Sequence, residues 1–149
     1  MAFLLGPDYT SPMVQELQAW IDSQKSAGRM VVALNLRHHI PGGSEAETDN
    51  GLRACFDAIK ELPGVSKVAL LLIPHDFRGD RNDHHLNKLF EERYRNRLPP
   101  CRIVNPPFTS SEGKTIVGLV DVLITGRTHF AIAAGDGDSG WRYDLPRQV

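Results

Sequence analysis

The chain has 149 residues, 41% hydrophobic and 23% charged, with a net charge of -1. This length suits one domain, which buries roughly two-thirds of the surface its unfolded chain exposes. The near-neutral charge argues against the basic excess of a nucleic-acid-binding face, so any bound anion must be held by a local cluster, and no apolar run approaches the ~20 residues of a membrane span.

The opening Met-Ala-Phe-Leu-Leu run is too short for a signal peptide and has no basic flank, which predicts a cytoplasmic protein. Thr10, Ser11 and Pro12 read as a helix start, with proline in the first turn. Val14, Leu17, Trp20 and Ile21 then follow helical spacing until Gly28. Met30 to Leu36 is the first β-rich run. Pro41, Gly42 and Gly43 form a loop before a helix over about 44–62, with Leu52, Phe56 and Ile59 on one face and Pro63-Gly64 as its stop. Lys67 to Ile73 is almost wholly apolar, as a central parallel strand covered on both faces should be. A polar loop from His75 to about Asp83 leads into a helix marked by Leu86, Leu89 and Phe90 that ends near Leu98. Cys101 to Val104 is a short strand, Ser110 or Ser111 caps the next helix, and Val122 to Thr125 is the fourth strand. Thr128 to Ala134 opens a last helix. The sequence predicts an α/β fold: a Rossmann-like, mainly parallel sheet with flanking helices over 1–134, followed by an irregular tail, 135–149.

The two cysteines, Cys55 and Cys101, have no Cys-x-x-Cys spacing and read as small buried hydrophobes in a reducing compartment. Four of the six histidines, His38, His39, His75 and His129, follow predicted strands, as do Arg37 and Arg127. Ligands of open parallel sheets bind at the carboxyl ends of the strands. Histidine there supplies an acid or base near neutral pH, and arginine a fork for phosphate or carboxylate. His84 and His85, at a helix start, read instead as solvent-facing. The loop over 75–85 also carries carboxylates and imidazoles at close spacing, but its interleaved cations oppose a metal ion, and no metal is expected. The Gly-Asp-Gly-Asp-Ser-Gly tail lacks the distant glutamate of an EF-hand loop. Gly126, Arg127 and His129 join a strand to a helix start, where free N–H groups attract anions. The alternative is structural: His129 caps the helix and Arg127 pairs with Asp121.

These residues carry a family resemblance. Asp121-Val-Leu-Ile-Thr-Gly126-Arg127-Thr-His129-Phe-Ala-Ile-Ala-Ala134 resembles the signature of the polysaccharide pyruvyl transferases: a buried strand, Gly, Arg-x-His and a small-residue helix. Val31-Val-Ala-Leu-Asn-Leu-Arg37 is similar to the family's strand ending in arginine, Leu71-Leu-Ile-Pro-His75-Asp76 to its Pro-His-Asp turn, and Ala2-Phe-Leu-Leu to the segment that closes its first domain. The set runs in order over about residues 2–134.

The resemblance implies the C-terminal, phosphoenolpyruvate-binding half of a GT-B-type two-domain fold. It implies transfer of pyruvate from phosphoenolpyruvate to a sugar as a ketal, in exopolysaccharide biosynthesis. His129 would be the catalytic acid, and Arg37, Arg127 and His75 the substrate-binding groups. Phosphoenolpyruvate is the donor substrate and no further cofactor is implied. The acceptor is a sugar or lipid-linked oligosaccharide, through which the protein would touch a membrane peripherally. The family's preceding domain is absent and its Gly-Val-Pro continuation is replaced after Ala134. The isolated chain is therefore expected to be truncated and inactive without that domain or a partner subunit. The rival readings are a non-catalytic sugar- or anion-binding domain and half of a nucleotide-sugar glycosyltransferase or epimerase.

Overall fold

A computed structural model describes residues 6–37, 43–80 and 82–125. Helices and strands alternate: α1 (Pro12–Ser26), β1 (Met30–Leu34), α2 (Glu45–Lys60), β2 (Val68–Leu72), α3 (Asp83–Tyr94), β3 (Cys101–Ile103), α4 (Ser110–Leu119) and β4 (Val122–Ile124). The four strands form one parallel sheet in the order β3-β2-β1-β4. The expected α/β class and all four expected strands are present. The expected helix over 128–134 and the tail over 135–149 lie outside the described residues.

Local chemistry accounts for the element ends. Pro12 opens α1, where its fixed φ suits the first turn and its missing N–H loses no bond. The chain leaves that helix through Gly28 at φ +78°, a left-handed conformation that a Cβ disfavours. In α2, Ser44 and Glu47 form a capping box, each side chain closing on the other residue's backbone N–H. The cap of α4 is Thr109, not Ser110 or Ser111. Only from Thr109 does Glu112 fall at the third helical position, and the two form a second capping box. Ser11 leaves its own helix uncapped and donates its hydroxyl to Glu112 at 2.5 Å, joining α1 to α4.

The sheet separates two cores. On one face Val14, Leu17 and Ile21 of α1 and Ile116 and Val117 of α4 pack on Val31, Ala33, Ala69 and Leu71. On the other, Leu52, Phe56 and Ile59 of α2 and Leu86, Phe90 and Tyr94 of α3 pack on Val32, Leu34, Leu70 and Leu72. All five residues of β2 are buried, which explains why that strand is apolar on both faces. The phenyl ring of Phe56 stacks on Tyr94 with centroids 4.2 Å apart. Among the described residues no helix is long and apolar enough to cross a membrane.

The strand order has a positional consequence. From β1 through β2 to β3 the chain steps along one side of the sheet, with α2 and α3 on one face. It then crosses by α4 on the opposite face and sets β4 beside β1. The order reverses between β1 and β4, and open α/β sheets bind ligands at the carboxyl edge beside such a reversal. A barrel whose strands pair in chain order would instead join β4 to β3.

Candidate functional site

The carboxyl edge of the sheet is held together by polar side chains. Asn35 directly follows β1 and is buried. Its Nδ2 donates to the carbonyl of Ile73 at 2.9 Å and to Asp83 Oδ2 at 3.3 Å. Its Oδ1 accepts from Thr125 Oγ at 3.3 Å, and its backbone N–H donates to the carbonyl of Ile124. One amide therefore links the ends of β1, β2 and β4. A buried amide is stable in this place because its donors and acceptor are engaged.

Asp83 does the same from the helix side. It is the first residue of α3 and only 3% exposed. Besides Asn35, its Oδ2 accepts from the backbone N–H of His75 at 3.1 Å and of Asp76 at 3.0 Å, and its own N–H donates to the carbonyl of Asp76 at 2.8 Å. A carboxylate in a helix's first turn is also favoured by the dipole. The turn after β2 is thus clamped onto α3. Asn82 caps that helix by accepting from His85 N–H at 2.9 Å, and Asp76 takes a two-pronged bond from Arg78.

Arg37 and His75 occupy corresponding places. Leu34 and Leu72 are register partners, and each of these two residues lies three positions beyond its strand's last residue. Arg37 is exposed and His75 half-buried. Both sit on the carboxyl edge, on adjacent strands. Arg127, His129, His38 and His39 lie outside the described residues.

Asp121, the partner considered for Arg127, is engaged at the opposite edge of the sheet. Its Oδ1 pairs with Lys25 at 3.1 Å and its Oδ2 accepts from Val31 N–H at 2.8 Å. His85 is exposed, in keeping with the solvent-facing reading, but His84 is not simply solvated. Its Nδ1 is buried without a hydrogen-bond partner. Burial, then Lys88 and His85, push its pKa below the usual imidazole value. In the 75–85 loop Asp76 serves Arg78, and Asp83 serves backbone donors and the Asn35 amide. Among the described residues, no group of three His, Cys, Asp or Glu side chains could hold a metal ion.

Asn35, Asp83 and Thr125 are the groups that residue-type reasoning passed over. Asn35 did carry a signal: it is a polar residue inside the run Val31 to Leu36, and a buried polar group implies partners. Asp83 carried none, since it stands in a stretch as polar as any surface loop. Asn87, one turn further along α3, is fully buried with neither Oδ1 nor Nδ2 hydrogen-bonded.

No known family profile matches the chain, and no solved structure gives a significant match. Two curated proteins do show a local likeness, both named "Probable endonuclease 4", from Nitratidesulfovibrio vulgaris strains Hildenborough and DP4. Each is 32% identical over 76 residues, which is 48% of this chain and 27% of the relative. The chain thus spans about a quarter of the length of the curated relatives it matches.

Proposed function

We propose that this chain is the phosphoenolpyruvate-binding half of a polysaccharide pyruvyl transferase, with a second domain or subunit forming the other wall of a GT-B-type cleft. The observation that carries the reading is the reversal of strand order between β1 and β4. Open α/β sheets bind ligands at the carboxyl edge beside such a reversal, and at that edge Arg37 follows β1 and His75 follows β2. Thr125 ends the described part of that edge, and Arg127 and His129 stand two and four positions further along the sequence.

Phosphoenolpyruvate bears a phosphate and a carboxylate, each matched to a guanidinium fork. In the proposed reaction Arg37 and Arg127 hold these groups. Protonated His129 delivers its proton to the methylene carbon, which becomes a methyl group and leaves C2 oxocarbenium-like. One sugar hydroxyl adds to C2 and loses its proton. The C2–O bond to phosphate then breaks, and a second hydroxyl closes the ketal, giving its proton to the departing phosphate. General acid catalysis of this kind is worth ~10²–10⁴ in rate. A single wall cannot hold a hydroxyl within ~3–3.5 Å of C2, so the isolated chain should bind the donor without turning it over.

Calorimetry with phosphoenolpyruvate tests this. Binding should be saturable and weakened about ten-fold or more by Arg37→Ala or Arg127→Ala. Unchanged affinity in both variants would remove the assignment. A second reading, as a nucleic-acid phosphodiesterase, is supported by the likeness to the two endonucleases. Cleavage of plasmid DNA by the purified chain, with no affinity for phosphoenolpyruvate, would favour it.

A further inference from the structure

The amino edge of the sheet, opposite the crevice, carries a second concentration of chemistry. Three connections meet there: Arg29 leads into β1, Val65 and Ser66 precede β2, and Arg97 and Leu98 precede β3. They enclose an open cleft of about 410 Å³ with Lys60, the last residue of α2. Three cations, Arg29, Lys60 and Arg97, therefore face one volume. Among the described residues that line it there is no aspartate or glutamate.

Among the described residues none of the three cations has an anionic partner. The guanidinium of Arg29 donates to the neutral amide of Gln24 at 3.2 Å. Lys60 and Arg97 rest over the same Phe56 ring, at 5.4 and 4.7 Å from its centroid, and Arg97 lies 5.4 Å from the Tyr94 ring stacked on it. A shared ring keeps the two charges within about 10 Å of each other. That is comparable with the Debye length of ~8–10 Å at ~0.15–0.1 M salt, so their repulsion is only partly screened. The ring faces offset part of this cost. Other cations are paired, Lys25 with Asp121, Arg78 with Asp76, Arg93 with Asp49, Arg95 with Glu91 and Arg102 with Glu16, whereas Arg53, Lys67 and Lys88 stand singly on the surface, outside this cleft. With a net charge of -1, the unpaired trio is a local arrangement and not the reflection of a basic protein.

We infer that this cleft binds an organic phosphate, its anionic group held between Arg29, Lys60 and Arg97 and the Ser66 hydroxyl. Its apolar or planar body rests on Val65, Leu98 and the two prolines that follow. An anion between the three charges relieves their mutual repulsion and gains charge-assisted hydrogen bonds. The apolar floor favours an ester over inorganic phosphate. The site is independent of the proposed phosphoenolpyruvate crevice, because the five residues of β2 hold the two edges roughly 16 Å apart.

Phenyl phosphate, inorganic phosphate and benzyl alcohol are suitable probes, followed by amide NMR shifts on the full chain. Phenyl phosphate should produce saturable shifts at Val65, Ser66 and Leu98, inorganic phosphate weaker ones, and benzyl alcohol none at the same concentration. Lys60→Gln and Arg97→Gln should each weaken phenyl phosphate about ten-fold. Lys60→Arg should retain binding, which separates lost charge from lost packing on Phe56. Arg37→Ala should leave these shifts unchanged, so this inference and the crevice assignment fail separately. Absence of saturable shifts at the cleft, equal affinity in the charge-removing variants, or binding of an oligonucleotide without binding of phenyl phosphate would overturn the proposal.

Discussion

Replacing Asp83 with alanine should unfasten the carboxyl edge of the sheet. In the wild-type chain one oxygen of this buried carboxylate accepts from the amide of Asn35 and from the N–H groups of His75 and Asp76. A hydrogen bond to a charged group contributes about 1.5–3 kcal/mol, and a buried donor left unpaired costs about 1–3 kcal/mol. Three donors on a single oxygen share it, and water can reach the half-buried turn at His75 and Asp76, so the effects do not sum in full. About 3–5 kcal/mol is the expected loss, in the range for breaking a buried charged network. Domains of this size are stable by roughly 5–15 kcal/mol, so the variant should stay folded but fragile. Urea denaturation followed by circular dichroism measures this directly: the midpoint should fall while the slope with denaturant stays the same. The melting temperature should drop by about 2–4 °C for each kcal/mol lost. Asp83→Asn keeps one acceptor oxygen but loses the charge, and should fall between alanine and wild type. A loss below about 1 kcal/mol in Asp83→Ala would show that the three donors find other partners, and the clamp would not exist.

Asn87→Leu should raise stability by about 1–3 kcal/mol, because it replaces a fully buried, unbonded amide with an apolar group of similar size; destabilisation in chemical denaturation would mean that the amide is engaged. Glu112 has its pKa held below the usual carboxylate value, chiefly by the Ser11 hydroxyl and then by the Thr109 N–H. Because the folded value is the lower one, its contribution is complete above the ordinary value of about 4.5 and is lost as the pH falls through the depressed one. Glu112→Gln should therefore lower the melting temperature at pH 7 and flatten its decline between pH 5 and 3; parallel wild-type and variant curves would contradict this. Burial pushes the Cys55 thiol up to about 11 and, with Glu91 adding to it, the Cys101 thiol to about 12. Both should resist a thiol reagent at pH 8 in the native chain and react promptly in urea; rapid native labelling would show that the two face water.

Much of the fold could be read from residue order because its elements announce themselves locally. The unbroken apolar run of β2 is what a strand covered on both sides requires, and the Ser44/Glu47 pair marks the start of α2. The start of α4 is ambiguous in the sequence by a residue or two because three hydroxyl side chains stand in succession, and only the distance to Glu112 selects Thr109. The strand order was not legible: nothing within β4 says that its partner is β1, since that pairing depends on α4 crossing to the far face. The crevice could be foreseen only as a tendency of residues after strands. Asn35, Asp83 and Thr125 come together across separations of 48 and 90 positions, and no local pattern encodes contacts of that span.

The pairing of β4 with β1 is only three residues long, Val32 with Val122, Ala33 with Leu123 and Leu34 with Ile124. So short a strand has little alternation with which to choose its own alignment. Yet it is bracketed by two side-chain bonds, Asp121 to Val31 below and Thr125 to Asn35 above, both spanning 90 positions. These two act like stops at either end of a slide. A shift of one residue would break both bonds and turn the apolar side chains of β4 to the wrong face. Thr125, the last described residue of that edge, is therefore held at a height set by these two polar bonds, and not by the three-residue pairing alone.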